Sequence, residues 1–198
     1  MKAKDVADCA VQLGRHKLDV VEAEYIWHAI IEQYEGVPSV PRDVLTKLNW
    51  VTIAIKAEEY SNMTLSDIDL VANFGKDYSL NDDQLSAIAS RVREDFGNKE
   101  PEDYTVYDLT ALRQILCAFN RSEIERIHPS AYKEAASVIG KLKRCPPEVL
   151  QGFAALATEK TAFGPTSSWT NSTIEALGSV AEYFPKDLIT KIRNRKEM

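Results

Sequence analysis

The sequence of 198 residues is 44% apolar and carries a formal net charge of -6 at pH 7, which allows one large or two small domains with a normal hydrophobic core. The acidic balance argues against a nucleic-acid partner, because such affinity comes from clustered Lys and Arg side chains that neutralise phosphates. The one basic cluster is interpreted as cations at the C-terminal end of a helix, and it comprises Lys191, Arg193, Arg195 and Lys196.

No transmembrane segment is predicted, because no window approaches the roughly 18 consecutive apolar residues that a spanning helix requires. The longest apolar run, residues 51–57, is interrupted by Thr52 and Lys56. The first residues lack the apolar core of a secretory signal, and the last lack the hydrophobic tail that directs a lipid anchor. We therefore expect any signal or anchor of the mature protein to lie outside this chain.

Apolar residues recur at helical spacing along most of the chain, and period-two alternation of useful length is absent. Each such stripe predicts one face of a helix, so the sequence predicts an all-α protein with essentially no sheet. Gly97 follows the second stripe as a predicted helix stop. The stripes, in chain order, are Val44, Leu48, Val51 and Ile55; Leu85, Ile88, Val92 and Phe96; Leu109, Leu112, Ile115 and Leu116; and Ile174, Leu177 and Val180.

Capping residues precede these stripes and divide the chain into about ten to twelve short helices, whose short connections favour antiparallel neighbours. A loose repeat is visible, in which a capping residue and an acid or amide precede two apolar residues three apart, as in Glu123-Ile124 with Ile127. This pattern favours an armadillo/HEAT-like superhelix, although a compact helical bundle would show it too. We predict N-terminal repeats over residues 1–104 and C-terminal repeats over 105–198, within one continuous superhelical domain.

Catalytic, cofactor and metal sites are not predicted. Glu24, His28 and Glu32 lie four apart on one predicted helix, but charged residues at this spacing are ordinary on a solvated helix face. The three cysteines have no Cys-x-x-Cys spacing, which argues against zinc and thioredoxin-type chemistry. Cys117 lies on an apolar stripe, so the residues alone favour a buried thiol over a half-cystine.

Three glycosylation sequons occur, a mild excess over what composition supplies. They begin at Asn62, Asn120 and Asn171. Each lies at a predicted helix start or loop, where an acceptor is exposed. Ser, Thr and Asn also gather at helix caps for structural reasons, so the pattern alone leaves a structural origin open.

The second half of the chain, residues 109–192, resembles the mesothelin, stereocilin and otoancorin superfamily of cell-surface and extracellular-matrix proteins. The resemblance rests on the order Leu116-Cys117, Ile127-His128-Pro129, Cys145-Pro146-Pro147-Glu148 and Phe163-Gly164-Pro165 followed by Trp169-Thr170. It implies a helical superhelix and a disulfide between Cys117 and Cys145. Cys9 then remains outside the pair, as a core thiol or as the partner of something beyond this chain.

The sequence is compatible with two functions. The resemblance implies an extracellular or cell-surface adhesion module that attaches cells to other cells or to matrix through a protein or glycoprotein partner. The alternative is an intracellular helical-repeat scaffold that binds a protein or peptide, a common use of solenoids. An enzyme is not expected, because phosphate loops, nucleophile elbows and recognisable catalytic carboxylate pairs are missing.

Overall fold

The computed structural model describes residues 2–195, and these form α- and 3-10 helices without any strand. The predicted all-α fold class is therefore confirmed. The chain divides into two compact units, Met1–Asn98 and Lys99–Met198. The boundary predicted after residue 104, the single continuous domain and the superhelical arrangement stay predictions. Lys196 of the predicted basic cluster lies outside the described residues.

The first unit contains five α-helices and three 3-10 helices within its described part. An Asp19 capping box starts the long helix α2, and an Asn81 capping box starts α5. The α-helices are α1 (Ala3–Leu13), α2 (Val20–Tyr34), α3 (Arg42–Leu45), α4 (Ile68–Phe74) and α5 (Asp82–Asp95), and the 3-10 helices are Val37–Ser39, Asn49–Ala54 and Ala57–Asn62.

The second unit has six α-helices and four 3-10 helices in the part that is described. Capping boxes at Thr105 and Asn120 start α6 and α7, and proline occupies the first helical position of α8 and α9. The α-helices are α6 (Val106–Leu112), α7 (Arg121–Glu125), α8 (Pro129–Ile139), α9 (Pro147–Ala157), α10 (Asn171–Leu177) and α11 (Lys186–Arg193), and the 3-10 helices are Pro101–Asp103, Arg113–Ala118, Thr166–Ser168 and Gly178–Tyr183.

Three of the four predicted continuous helices are broken, so that part of the prediction is wrong. A residue with positive φ interrupts each of them: Asn49 at 48°, Arg113 at 41° and Gly178 at 55°. Beyond each break the chain continues as a 3-10 helix of six residues. The apolar residues still face the core after the break, which is why the stripe looked continuous. The remaining stripe follows α5, with Gly97 at a φ of 54° beyond its end.

The same order of elements occurs three times in the described part of the chain. Each copy has a first helix, a long second helix, a short 3-10 turn, a short α-helix, a six-residue 3-10 helix and a last short helix. We call the stretches 3–62, 68–125 and 129–193 copies 1, 2 and 3. The positive-φ positions 49, 113 and 178 are 64 and 65 residues apart. Corresponding core positions are buried in all three copies, for example Leu48, Leu112 and Leu177.

In copies 1 and 3, the glycine that ends the first helix contacts the six-residue 3-10 helix of the same copy. The Trp50 N–H donates to the Gly14 carbonyl oxygen at 3.0 Å, and the Ser179 N–H donates to the Gly140 carbonyl oxygen at 3.0 Å. A side chain at Gly140 would place its Cβ 2.6 Å from the Leu177 carbonyl oxygen. These two glycines are therefore required by close backbone approach.

Candidate interaction surface and its disulfide

A disulfide joins Cys117 to Cys145, at a sequence separation of 28. Cys117 lies in the 3-10 helix of copy 2, and Cys145 lies in the loop that enters α9 of copy 3. Their Cα atoms are 4.8 Å apart, inside the range that a disulfide spans. Both cysteines lie in the second unit, so the bond joins the part of copy 2 that belongs to this unit to copy 3.

Gln114 supports the same connection with its side-chain amide. Its Nε2 donates to the Lys143 carbonyl oxygen at 2.8 Å, and its Oε1 accepts from the Lys143 N–H at 2.9 Å. Gln114 is buried, so these two bonds satisfy both ends of an amide that is costly to bury unpaired. No pattern in the sequence points to this residue, because a lone glutamine on a predicted helix is usually solvated.

Beside the disulfide, the last helix of copy 2 packs on the second helix of copy 3. Ile124 of α7 lies so close to Gly152 of α9 that a Cβ on the glycine would meet the isoleucine at 2.9 Å. At the rim, the Arg121 guanidinium donates to the Gln151 side chain at 3.3 Å. We call this contact a copy junction.

The first unit contains the matching copy junction between copies 1 and 2. The 3-10 helix Ala57–Asn62 packs on α5. Gln84 at the start of α5 donates from Nε2 to the carbonyl oxygens of Ile55 at 2.9 Å and Ile53 at 3.3 Å. Ile53 corresponds to Cys117, so this junction lacks a cysteine at the position where the other has the disulfide.

Cys9 is a free and exposed thiol. Its interpretation as a core thiol is therefore wrong. Val6 and Ala10, four residues apart, form the buried face of α1, and Leu13 is also exposed. Cys9 points away from that face, which leaves the second interpretation, a partner beyond this chain, as a prediction.

The three sequon asparagines lie in different local settings. Asn62 is exposed at the end of a 3-10 helix, beside a groove of about 250 Å³. Asn120 is exposed, and its Oδ1 accepts from the Glu123 N–H at 2.9 Å as the cap of α7. Asn171 is half-buried and donates to Glu175 at 3.2 Å. Glycosylation stays a prediction, and Asn62 and Asn120 are the exposed asparagines of the three.

Arg42, which lines the groove beside Asn62, forms an ion pair. Arg42 donates to both carboxylate oxygens of Asp67, at 2.6 and 3.0 Å, and to Asp69 at 3.2 Å. The hydrogen bond from Arg42 lowers the pKa of the Asp67 carboxyl below its ordinary value. The pair is largely exposed, so its contribution to stability is small.

The other polar residues singled out from the sequence lie on α2 and at the end of α11. His28 and Glu32 are exposed on α2 and Glu24 is half-buried, and residues 2–195 hold no group of three His, Cys, Asp or Glu side chains arranged for a metal ion. Lys191 and Arg193 occupy the last turn of α11, as the dipole argument predicts. None of the helices described here has the length and apolarity needed to cross a bilayer.

Arg195 has a further role that the sequence did not indicate. Its guanidinium donates to three backbone carbonyl oxygens, those of Thr166 at 3.2 Å, Ser167 at 3.0 Å and Trp169 at 3.0 Å. It therefore fastens the end of the described chain to the turn before α10. The basic cluster is in part structural, which leaves less of it for an anionic partner.

The fold and the disulfide define an all-α protein of short helices in three similar copies, two of which are cross-linked by the disulfide. Compared with curated proteins, the chain is 30% identical over 137 residues to otoancorin of Mus musculus and 29% identical over 137 residues to otoancorin of Homo sapiens. The matched segment is 69% of this chain and 12% of each otoancorin, so the chain spans about an eighth of the relatives it matches. The chain is thus related to the otoancorin, stereocilin and mesothelin-like family. No family model matches it, and no solved structure matches it.

Proposed function

We propose that this chain is a non-catalytic adhesion module that acts outside the cell and binds a protein or glycoprotein partner at a cell surface or in extracellular matrix. The observation that carries the proposal is the similarity to otoancorin over 69% of the chain. The Cys117–Cys145 disulfide supports the location, because disulfides form and persist in secretory and extracellular compartments.

Tyr107 on α6 is the anchor that we propose for partner binding. Its side chain is 74% exposed, whereas the buried Tyr104 just before α6 belongs to the core. The corresponding residues of copies 1 and 3 are Asp43 and Ser172, so the fold does not need an apolar residue here. Exposed tyrosines are over-represented among the residues that dominate protein interfaces, since they offer large contact area with few rotatable bonds.

The glycan prediction fits an extracellular module. A glycan on Asn62 would lie beside the groove that this residue lines in the first unit. Asn62 therefore supports the location, while Tyr107 supports the binding role. The two features are independent and separate experiments test them.

The location is tested by expressing the complete coding sequence that contains this chain in animal cells, with an epitope tag. We expect the tagged protein at the surface or in the medium, and we expect a peptide N-glycosidase to lower its apparent mass. Asn62→Gln should remove one glycan increment. Residence in the cytosol with all three sequons unmodified would contradict the adhesion proposal and favour the intracellular scaffold.

A further inference from the structure

One face of α2 is apolar and exposed. Val20, Val21 and Tyr25 are 54%, 75% and 58% exposed, although the opposite face of α2 is buried in the first unit. Large exposed side chains that cluster on one helix face usually mark an interaction site. In copies 2 and 3, the corresponding second helix is covered by another helix.

The position of Tyr25 is covered at the copy junction of the second unit. Tyr25 is the sixth residue after the cap Asp19, and Gly152 is the sixth after the cap Pro146. Gly152 packs against Ile124 of α7. In copy 2, α5 likewise packs on the 3-10 helix Ala57–Asn62, which is the last helix of copy 1. The second helix of copies 2 and 3 is thus covered by the last helix of the copy before it.

The last helix of copy 3 presents the complementary surface. A groove of about 710 Å³ runs beside α11 and is lined by Phe184, Lys186, Ile189 and Arg193, among others. Ile189 is the fourth residue after the cap Pro185, as Ile124 is the fourth after Asn120. The groove therefore corresponds to the surface that the last helix of a copy uses in a copy junction. It has room for a side chain as large as tyrosine.

The charges of the two surfaces match. Arg121, which donates to Gln151 at the junction inside the chain, corresponds to Lys186 on α11. Gln151 is the fifth residue after its cap and corresponds to Glu24 on α2. A junction between α11 and α2 would bring Lys186 and Glu24 together as an oppositely charged pair. Such pairs favour the correct partner and register at an interface.

We propose that two copies of this chain associate head to tail, with α2 of one molecule seated in the groove beside α11 of the other. The contact repeats between molecules the junction that the chain makes within itself. It is heterologous, because α2 of one molecule meets α11 of the other and not a second α2. The association does not depend on the adhesion proposal and is measured on the purified chain.

The disulfide supplies the sharpest test. Leu18 and Glu182 occupy the positions that correspond to Cys145 and Cys117. Leu18 directly precedes the cap Asp19, as Cys145 directly precedes the cap Pro146. Glu182 is the fourth residue after Gly178, and Cys117 is the fourth residue after Arg113. In a Cys9→Ser background, one chain carries Leu18→Cys and the other carries Glu182→Cys. Mild oxidation of the mixture should give a disulfide-linked heterodimer, seen on a non-reducing gel and located by peptide mapping.

The matched control replaces Glu182→Cys with Lys160→Cys, which places a thiol at another exposed position. Enrichment of the 18–182 heterodimer over the 18–160 product supports the proposal. Equal yields, or a dominant product that joins two Leu18→Cys chains, would overturn the head-to-tail arrangement.

A charge exchange tests the same contact without cysteines. Glu24→Lys or Lys186→Glu alone should raise the dissociation constant, measured by sedimentation over a concentration series, about tenfold. The double variant should regain most of the loss, because the pair is restored with opposite sign. A wild-type chain that stays monomeric throughout, or a double variant as weak as the sum of the single changes, would refute the proposal.

Discussion

Single residues decide how closely the helices approach, and Gly140 is the clearest case. Its missing side chain allows the Ser179 N–H to reach the Gly140 carbonyl oxygen at 3.0 Å, while a Cβ would lie 2.6 Å from the Leu177 carbonyl oxygen. Backbone atoms cannot move aside as a flexible side chain can. We expect Gly140→Ala to destabilise the chain by about 1 to 3 kcal/mol in urea unfolding followed by circular dichroism. Ser137→Ala, an exposed change on the same helix, is the control and should cost little.

Two buried tyrosine hydroxyls have no hydrogen-bond partner within residues 2–195, those of Tyr60 and Tyr132. Burial raises the pKa of Tyr132 above its ordinary value. The Tyr132 ring packs on Phe153, with 5.2 Å between centroids, and phenylalanine keeps that packing. Tyr132→Phe should therefore leave the free energy of unfolding unchanged or raise it by about 1 kcal/mol. Tyr78→Phe is the comparison and should lower it, because the Tyr78 hydroxyl donates to the Asn73 carbonyl oxygen at 2.8 Å. The reverse order would contradict this account.

At the scale of elements, the sequence predicts helical content and burial but not where a helix changes type. Leu109 and Ile115 lie on one apolar stripe and both are buried, yet Arg113 between them has a φ of 41°. Arginine gives no sign of such a backbone conformation, whereas Gly178 at the corresponding place does. The capping residues are more informative, since Asn81 and Thr170, both residue types that favour helix starts, directly precede α5 and α10. A cap acts through local hydrogen bonds, which the sequence reports directly.

The cap of α7 and its sequon can be separated by mutation. Asn120→Ala removes both the glycan acceptor and the Oδ1 that accepts from the Glu123 N–H, so it should cost roughly 1 kcal/mol in bacterially made protein without glycans. Ser122→Ala removes the sequon and keeps that cap, although it also deletes the bond from the Ser122 hydroxyl to Asn120. We expect thermal denaturation to show a larger loss for Asn120→Ala. Equal losses would mean that the cap contributes nothing measurable.

The disulfide and the Gln114 side chain both connect the 3-10 helix Arg113–Ala118 to the loop before α9. Cys117→Ser with Cys145→Ser removes the covalent constraint on the unfolded chain, which the chain-entropy model values at roughly 3 to 4 kcal/mol. The two hydrogen bonds of Gln114 to Lys143 remain in that variant. We therefore expect a native helical spectrum at low temperature and a lower unfolding midpoint. Adding Gln114→Leu should lower the unfolding midpoint again. An unchanged midpoint would show that the two hydrogen bonds of Gln114 do not stabilise this connection.

At the scale of the whole molecule, the three copies were not evident from the sequence. The predicted repeat had irregular spacing because it matched caps of different helices to one another. The structural repeat of 64 and 65 residues instead aligns the breaks at Asn49, Arg113 and Gly178, three unrelated residue types. What the copies share is burial at equivalent positions, and Leu48, Leu112 and Leu177 are the rare case of the same residue in all three. The three copies therefore resemble one another in burial and backbone conformation, and only rarely in residue identity.

A comparison of the copies also distinguishes residues proposed for binding from residues needed for folding, and Tyr107 is the test case. Because copy 3 has Ser172 at the corresponding place, Tyr107→Ser supplies a residue that the same backbone already accepts. Its unfolding midpoint should match that of the wild type, since a 74% exposed side chain contributes little packing. We expect attachment of animal cells to a surface coated with the chain to fall about tenfold, as for the loss of an interface anchor. Ser172→Tyr is the matched gain control and should leave attachment unchanged. Attachment that survives Tyr107→Ser at the wild-type level would place the adhesive contact elsewhere on the molecule.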